Sequence, residues 1–168
     1  MFRLLQKDKI LSKDSESSVY VKNSKVSGKG LFTWRSLDQG TVIFKLTGTN
    51  IHHDYSPEFS AEGPNWIGVG YQQWIMPKID DKALYLNHSC EPNVIFSPGN
   101  KLISLKPIEM FEELLLDYST TELDPYWQME CRCSAKSCRK IIRSFQFLPP
   151  LIKKKYQPLL HPHFSGNY

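Results

Sequence analysis

The sequence predicts a single, mostly β domain of the α+β class. Three observations predict it. The apolar runs are of strand length and are separated by clusters of Gly, Pro, Asn and Asp that turn a chain. One stretch alone, Leu151 to about Gln157, reads as a helix, opened by Pro149-Pro150 and stopped by Pro158. A length of 168 residues supports one real core but falls short of two domains.

Composition narrows the partners. Hydrophobic content of 40% and charged content of 23% are those of a globular chain. The net charge of +4 is mild and the basic residues are scattered apart from Lys153-Lys154-Lys155, which reads as a solvated helix face. Direct nucleic-acid binding is therefore not expected. The first residues, MFRLLQKDKILSKDSESS, are too charged for a secretion signal, and no apolar run approaches membrane-spanning length. The expectation is a soluble, intracellular protein with no membrane partner; nucleus and cytosol are not distinguished.

In chain order, residues 1–18 read as a mobile lead-in and Val19 to Val21 as a strand. Ser27-Gly-Lys-Gly-Leu-Phe32 follows, with an apolar strand running on to about Leu37. Gly28 and Gly30 would let backbone groups approach a ligand, although taken alone a β-hairpin turn is the better account of them. Asp38-Gln39-Gly40 turns the chain into a strand from Thr41 to Leu46. Residues 49–78 are polar and rich in turn formers, interrupted by Trp66, Tyr71 and Trp74. Those aromatics are either the core of a small sheet or the wall of a groove. His52-His53 reads as a solvated loop.

Leu84 to Leu86 is a short apolar run, read as a strand, with Asn87, His88 and Ser89 at its end. Pro92-Asn93 then turns into a strand from Val94 to Phe96. A buried polar cluster at such a corner costs free energy unless every group finds a partner. It either knots loops together or faces a polar ligand. Lys101 to Ile108 reads as a further strand, and Leu114 to Leu116 as a buried run with Tyr118 just past its end. From spacing alone Tyr118 is a half-buried core residue with a satisfied hydroxyl.

The four cysteines are Cys90, Cys131, Cys133 and Cys138. Three crowd one polar loop as C-x-C-x4-C. Zinc takes four tetrahedral ligands, and a closed four-thiolate site is structural; Cys90 is the remaining thiol. Two disulfides are the alternative, and they fit poorly with a chain that shows no secretion signal. One structural zinc ion is expected, stapling the C-terminal loop to the strand end that carries Asn87 and His88.

Taken together, GKGLF, LNHSCEPN, EELLLDY and CRCSAKSC resemble, in order, the motifs of the SET-domain protein-lysine methyltransferases with a post-SET cysteine cluster. The resemblance spans roughly Val19 to Ile142. It implies a β-fold of several small sheets in which the Asn87-His88 and Tyr118 segments form a pseudoknot. It divides the chain into a lead-in (1–18), a SET domain (19–122) with a variable insert (49–78), a post-SET zinc loop (127–145) and a tail with a short helix (146–168).

The resemblance also implies S-adenosylmethionine as methyl donor. The backbone around Gly28, Lys29 and Gly30 would hold its methionine end, and Asn87 and His88 its amino and adenine ends. Tyr118 would be catalytic, and Phe96 and Leu116 would line the substrate channel. With no hydroxyl at those two positions, di- or trimethylation of a lysine is expected, a histone tail being the favoured substrate. Phe145 and Phe147 either cover the adenine or pack in the core, and the last residues, HPHFSGNY, read as mobile. Leu46 and Phe111 depart from the family pattern, the latter standing where a glycine is usual.

Overall fold

The computed structural model describes residues 18–57 and 65–165. Of the expected lead-in only Ser18 is among them, and Gly166 to Tyr168 also lie outside. Strands β1 (Val19–Asn23) and β2 (Lys29–Thr33) pair antiparallel around a turn closed by the Ser24 N–H on the Gly28 carbonyl at 2.9 Å. Gly28 takes a φ of +46° in that turn, a backbone region that favours glycine.

The central sheet has five strands in the order β3 (Val42–Lys45), β9 (Lys101–Ser104), β8 (Val94–Ser97), β10 (Leu115–Leu116) and β7 (Asn87–His88). Side chains alternate along β8 because successive residues of a strand face opposite sides. Val94 and Phe96 enter one core with Leu31, Ile43, Leu102 and Leu114; Ile95 enters another with Leu123, Phe145, Tyr156 and Phe164. The sheet is covered on both faces, the second by the chain's own C-terminal stretch.

Strand β10 lies between β8 and β7, parallel to both. Its flanks are fixed by the N–H of Ser89 on the Leu116 carbonyl (2.9 Å) and the N–H of Asn93 on that of Leu115 (3.0 Å). Asn93 completes the frame, accepting from Leu115 N–H at 2.8 Å and donating to the Glu113 carbonyl at 2.8 Å. The segment carrying Tyr118 thus passes beneath the 89–93 loop, the pseudoknot that the motifs imply.

Residues 49–78 hold a second sheet, order β4 (Thr49–His52), β6 (Gln73–Met76), β5 (Ile67–Gly70). A hairpin of β11 (Gln128–Glu130) and β12 (Ile141–Arg143) carries the cysteine loop, and helix α1 (Pro150–Tyr156) follows.

Several expectations change. Leu84 to Leu86 is no strand: Lys82–Tyr85 forms a 3-10 turn, capped by Asp81 accepting from Ala83 N–H at 2.8 Å. Short apolar runs do not distinguish strand from buried turn, and the cap decides this one. The strand from Lys101 stops at Ser104, leaving Ile108 as an isolated bridge to Leu37. His52 belongs to β4, not to a loop. His161 to Phe164, read as mobile, is packed: Phe164 is buried edge-on against Phe145 with centroids 5.3 Å apart.

Candidate active site and cysteine cluster

The threaded corner brings Asn87 onto the glycine turn. Its side-chain nitrogen lies 3.1 Å from the carbonyls of both Ser27 and Lys29 and 2.9 Å from a Glu113 carboxylate oxygen. The other Glu113 oxygen accepts from the Ser24 hydroxyl at 3.0 Å. A side chain at Gly30 would collide with that carboxylate, whereas one at Gly28 would meet nothing within 4 Å. Gly30 is therefore required by packing, while Gly28 faces open space. Glu113 ties both ends of the turn to the corner. It sits inside the EELLLDY motif, but only the fold shows that it faces Asn87.

His88 is buried, and its Nδ1 accepts the backbone N–H of Tyr118 at 3.2 Å. That bond places the ring proton on Nε2, 3.4 Å from the Cys90 sulfur. Burial holds the imidazole near a pKa of about 4, the pull of Asp117 notwithstanding and with Arg139 adding to the drop. The ring is neutral, with a fixed tautomer.

Tyr118 stacks edge-on against His88 at 5.3 Å, and its hydroxyl donates to the Leu86 carbonyl at 2.6 Å. Burial, and then the Glu113 charge, push its pKa up to about 12. It is a phenol, not a base, at ordinary pH. Beside it opens a cavity of about 260 Å³, whose walls include Leu86, Leu116, Trp66, Trp127 and Glu122. Glu122 is committed elsewhere, accepting from Trp74 Nε1 at 3.2 Å and from the N–H groups of Leu123 and Asp124, each at 2.8 Å. Trp127 also packs against the cysteine cluster, so one indole joins the two sites. Sequence reasoning missed Trp127; its position between the Asp-Tyr pair and the cysteines was the available signal.

Phe96 lies elsewhere than expected. It is buried in the main core, edge-on to Phe44 at 6.5 Å, and is not among the residues lining this cavity. The alternation of β8 turns it into the core. The three aromatics of the insert singled out in the sequence divide: Trp74 is buried beneath its sheet, Trp66 walls the cavity, and Tyr71 is exposed. Phe145 is core, while Phe147 is exposed beneath the Arg143 guanidinium at 3.6 Å.

The four thiols are unbridged and converge. The Cys131 sulfur lies 3.8 Å from that of Cys90 and 3.7 Å from that of Cys138, and Cys133 accepts the Cys90 N–H at 3.4 Å. A tetrahedral zinc with bonds of about 2.3 Å sets its sulfurs roughly 3.8 Å apart, so the spacing fits that ion. His88, Cys90, Cys131 and Cys133 also bring their ligand atoms within 4.8 Å of one another. The His88 Nε2, however, carries a proton, which leaves Cys138 as the fourth ligand the geometry can supply. Burial raises the Cys90 and Cys131 thiols, a cost that a cation beside them removes. For Cys133, burial is outweighed by the N–H groups of Cys90 and Ala135, and its pKa falls to about 7.

A threaded β-fold, with a polar corner on one side and a thiolate metal site at its edge, defines the class of protein. A family model for the SET domain matches residues 28–119, and the chain belongs to that family. It is 32% identical over 147 residues to histone-lysine N-methyltransferase 2B of Homo sapiens, covering 79% of this chain and 5% of that protein. Histone-lysine N-methyltransferase trr of Drosophila melanogaster is 27% identical over 147 residues, covering 79% of this chain and 6% of that one. The chain thus spans a small fraction of the curated relatives it matches. Among solved structures, KRYPTONITE in complex with mCHG DNA and SAH superposes with a TM-score of 0.55 at 21% identity, covering 73% of this chain and 28% of the other. Its complex with mCHH DNA, an H3(1-15) peptide and SAH gives 0.56 at 20%, covering 74% and 29%. At that identity the likeness shows the fold. No helix among the described residues is long and apolar enough to cross a membrane.

Proposed function

We propose that this chain is a protein-lysine N-methyltransferase that uses S-adenosylmethionine, holds one structural zinc, and acts on a histone tail. The observation that carries the reading is the position of Tyr118. Its N–H binds the His88 ring of the donor-side corner while its side chain lines the cavity. The relatives are histone-lysine methyltransferases by name, and KRYPTONITE was solved with SAH and with an H3 peptide.

S-adenosylmethionine, when bound, supplies a methyl group on a sulfonium. Gly28, Lys29, Gly30, Asn87 and His88 would hold it; Cys90, Cys131, Cys133 and Cys138 would hold zinc. A lysine must lose its proton before it attacks, at a cost near neutral pH of about 4 kcal/mol. Leu86, Leu116 and Trp127 lower that cost by keeping the amine from water. Tyr118 fixes the direction of approach. Its hydroxyl is engaged by Leu86, and that of Thr121 donates to the Tyr118 carbonyl at 3.0 Å. Leu116, in the wall, offers no hydroxyl to restrain the amine, so the cavity admits di- and trimethyllysine.

The division into SET domain (19–122, insert 49–78), zinc loop (127–145) and tail (146–168) belongs to the same proposal, as does an intracellular setting that keeps thiols reduced. Residues 127–168 hold eight Lys and Arg against one acidic residue, so the basic charge is less scattered than the total suggests. The experiment is a histone peptide array with labelled S-adenosylmethionine and mass-spectrometric site assignment, Tyr118→Phe alongside. Transfer to a non-histone lysine alone overturns the substrate; binding of S-adenosylhomocysteine without any transfer overturns the enzyme and leaves a binding module.

A further inference from the structure

Cys90 is the one cysteine that belongs to the threaded corner, and three N–H groups converge on its sulfur. The His88 Nε2, the Arg139 backbone N–H and the Arg139 Nε–H each lie 3.4 Å away. Another guanidinium nitrogen, Nη2, lies 2.6 Å from Oδ1 of Asp117. The Arg139 side chain is 15% exposed and that of Asp117 1%. The same Asp117 oxygen accepts the Ser119 N–H at 3.1 Å and so caps the turn that Tyr118 opens. The Tyr118 N–H returns to His88 at 3.2 Å. The bonds form a closed ring: Cys90, Arg139, Asp117, the turn at Tyr118, His88, and Cys90 again.

We infer that Arg139 is a positioning residue, the strut through which the cysteine loop sets the place of Tyr118. The planar guanidinium presents donors in a rigid fork, which suits holding a sulfur on one side and a carboxylate on the other. A lysine at this position has a single nitrogen and cannot reproduce both contacts with the same geometry. Partners behind a metal ligand fix its orientation, and removing one costs roughly 10–100-fold in metal affinity. Asp117 therefore influences the cysteine site without touching a sulfur, and the cysteine site influences Tyr118 without touching it. The effect on turnover rests on the methyltransferase reading; the effect on metal retention does not.

The experiment follows zinc release to a chromogenic chelator from the metal-loaded chain, for wild type, Asp117→Asn, Arg139→Lys, Arg139→Ala and the double variant Arg139→Ala/Asp117→Asn. Asparagine keeps an acceptor for the Ser119 N–H, so Asp117→Asn weakens the ion pair with the turn still capped. Asp117→Asn and Arg139→Lys are each expected to speed release at least roughly tenfold, with the double variant no faster than Arg139→Ala. In Asp117→Asn and Arg139→Lys, kcat is expected to fall while the peptide KM and the affinity for S-adenosylhomocysteine stay within about twofold of wild type, a split that general loosening would not give. Release from Asp117→Asn at the wild-type rate, or rate increases that multiply in the double variant, would overturn the inference. Arg139→Lys and Asp117→Asn keep the test decisive if Arg139→Ala does not fold. An inactive wild type with the predicted release rates refutes the methyltransferase reading and leaves the strut standing.

Discussion

The Tyr118 hydroxyl donates to the carbonyl of Leu86 across the threaded segment, 2.6 Å away. That bond fixes the phenol with its oxygen at the cavity beside Leu116 and Trp127. Tyr118→Phe keeps the ring against His88 and removes only the hydroxyl. Turnover is expected to fall at least 100-fold, stability by about 1 kcal/mol, and affinity for S-adenosylhomocysteine by less than twofold, as read by single-turnover assay and calorimetry.

Removing the metal should loosen the cavity as well as the loop, because Trp127 packs on the cysteine cluster. Zinc binding is coupled to folding and contributes on the order of several kcal/mol. Chelator treatment, or Cys131→Ser, is expected to lower Tm by roughly 10 °C or more. A melting curve unchanged by chelator, with one zinc per chain lost by elemental analysis, contradicts this.

Asn87 links the glycine turn, Glu113 and β7 through one side-chain nitrogen. Asn87→Ala leaves those acceptors without their donor, a loss of about 1–3 kcal/mol. Affinity for S-adenosylhomocysteine is expected to weaken by tenfold or more, while zinc content stays at wild type. Calorimetry and elemental analysis on the same sample separate the two.

Tyr55, Tyr118 and Tyr156 each have their pKa raised to about 12, in every case chiefly by burial. A value raised in the folded state means that the folded chain holds these protons more tightly than the unfolded one does. Their contribution is intact below pH 10 and is lost as pH rises from 10 through 12. Denaturation followed by circular dichroism should show a steep fall in that window, shallower in Tyr156→Phe. A slope identical in the variant removes Tyr156 from the account.

Phe111 occupies φ +68°, where a residue with a side chain is strained by about 1–2 kcal/mol. Its ring is 52% exposed and touches Trp34 edge-on at 6.2 Å. Strain outweighs so open a contact. Phe111→Gly is expected to stabilise the chain by about 0.5–1 kcal/mol; a lower denaturant midpoint would show that the Trp34 contact wins.

Legibility followed local chemistry. The strands at Val42–Lys45, Val94–Ser97 and Leu115–Leu116 lie where β-branched or leucine runs meet turn residues, and the cysteine spacing alone pointed to one ion. Phe111 stood out as a departure, and its positive φ gives the reason glycine is usual there. What stayed hidden depends on pairing across long separations. Glu113 and Arg139 carry ordinary surface charges in sequence, and only threading turns them toward Asn87 and Asp117. The tail was misjudged because its terminal polar residues mask Tyr156, Leu160 and Phe164, which recur at helical spacing and fill the second core. Phe96 shows the limit of a motif offset: counting residues along the chain does not say which side of the pleat a ring takes, and on β8 it faces the core.

A chain in which one strand passes beneath another's loop has an order of assembly built in. A nascent polypeptide that has emerged only as far as Ser104 contains the Asn87 corner but lacks Leu115–Leu116, so nothing yet fills the opening. The corner is without its central strand until the later segment is present. A product cut short before Leu115 holds the corner residues without the strand that pairs Asn87 and His88, and so lacks the frame on which a ligand site there would stand.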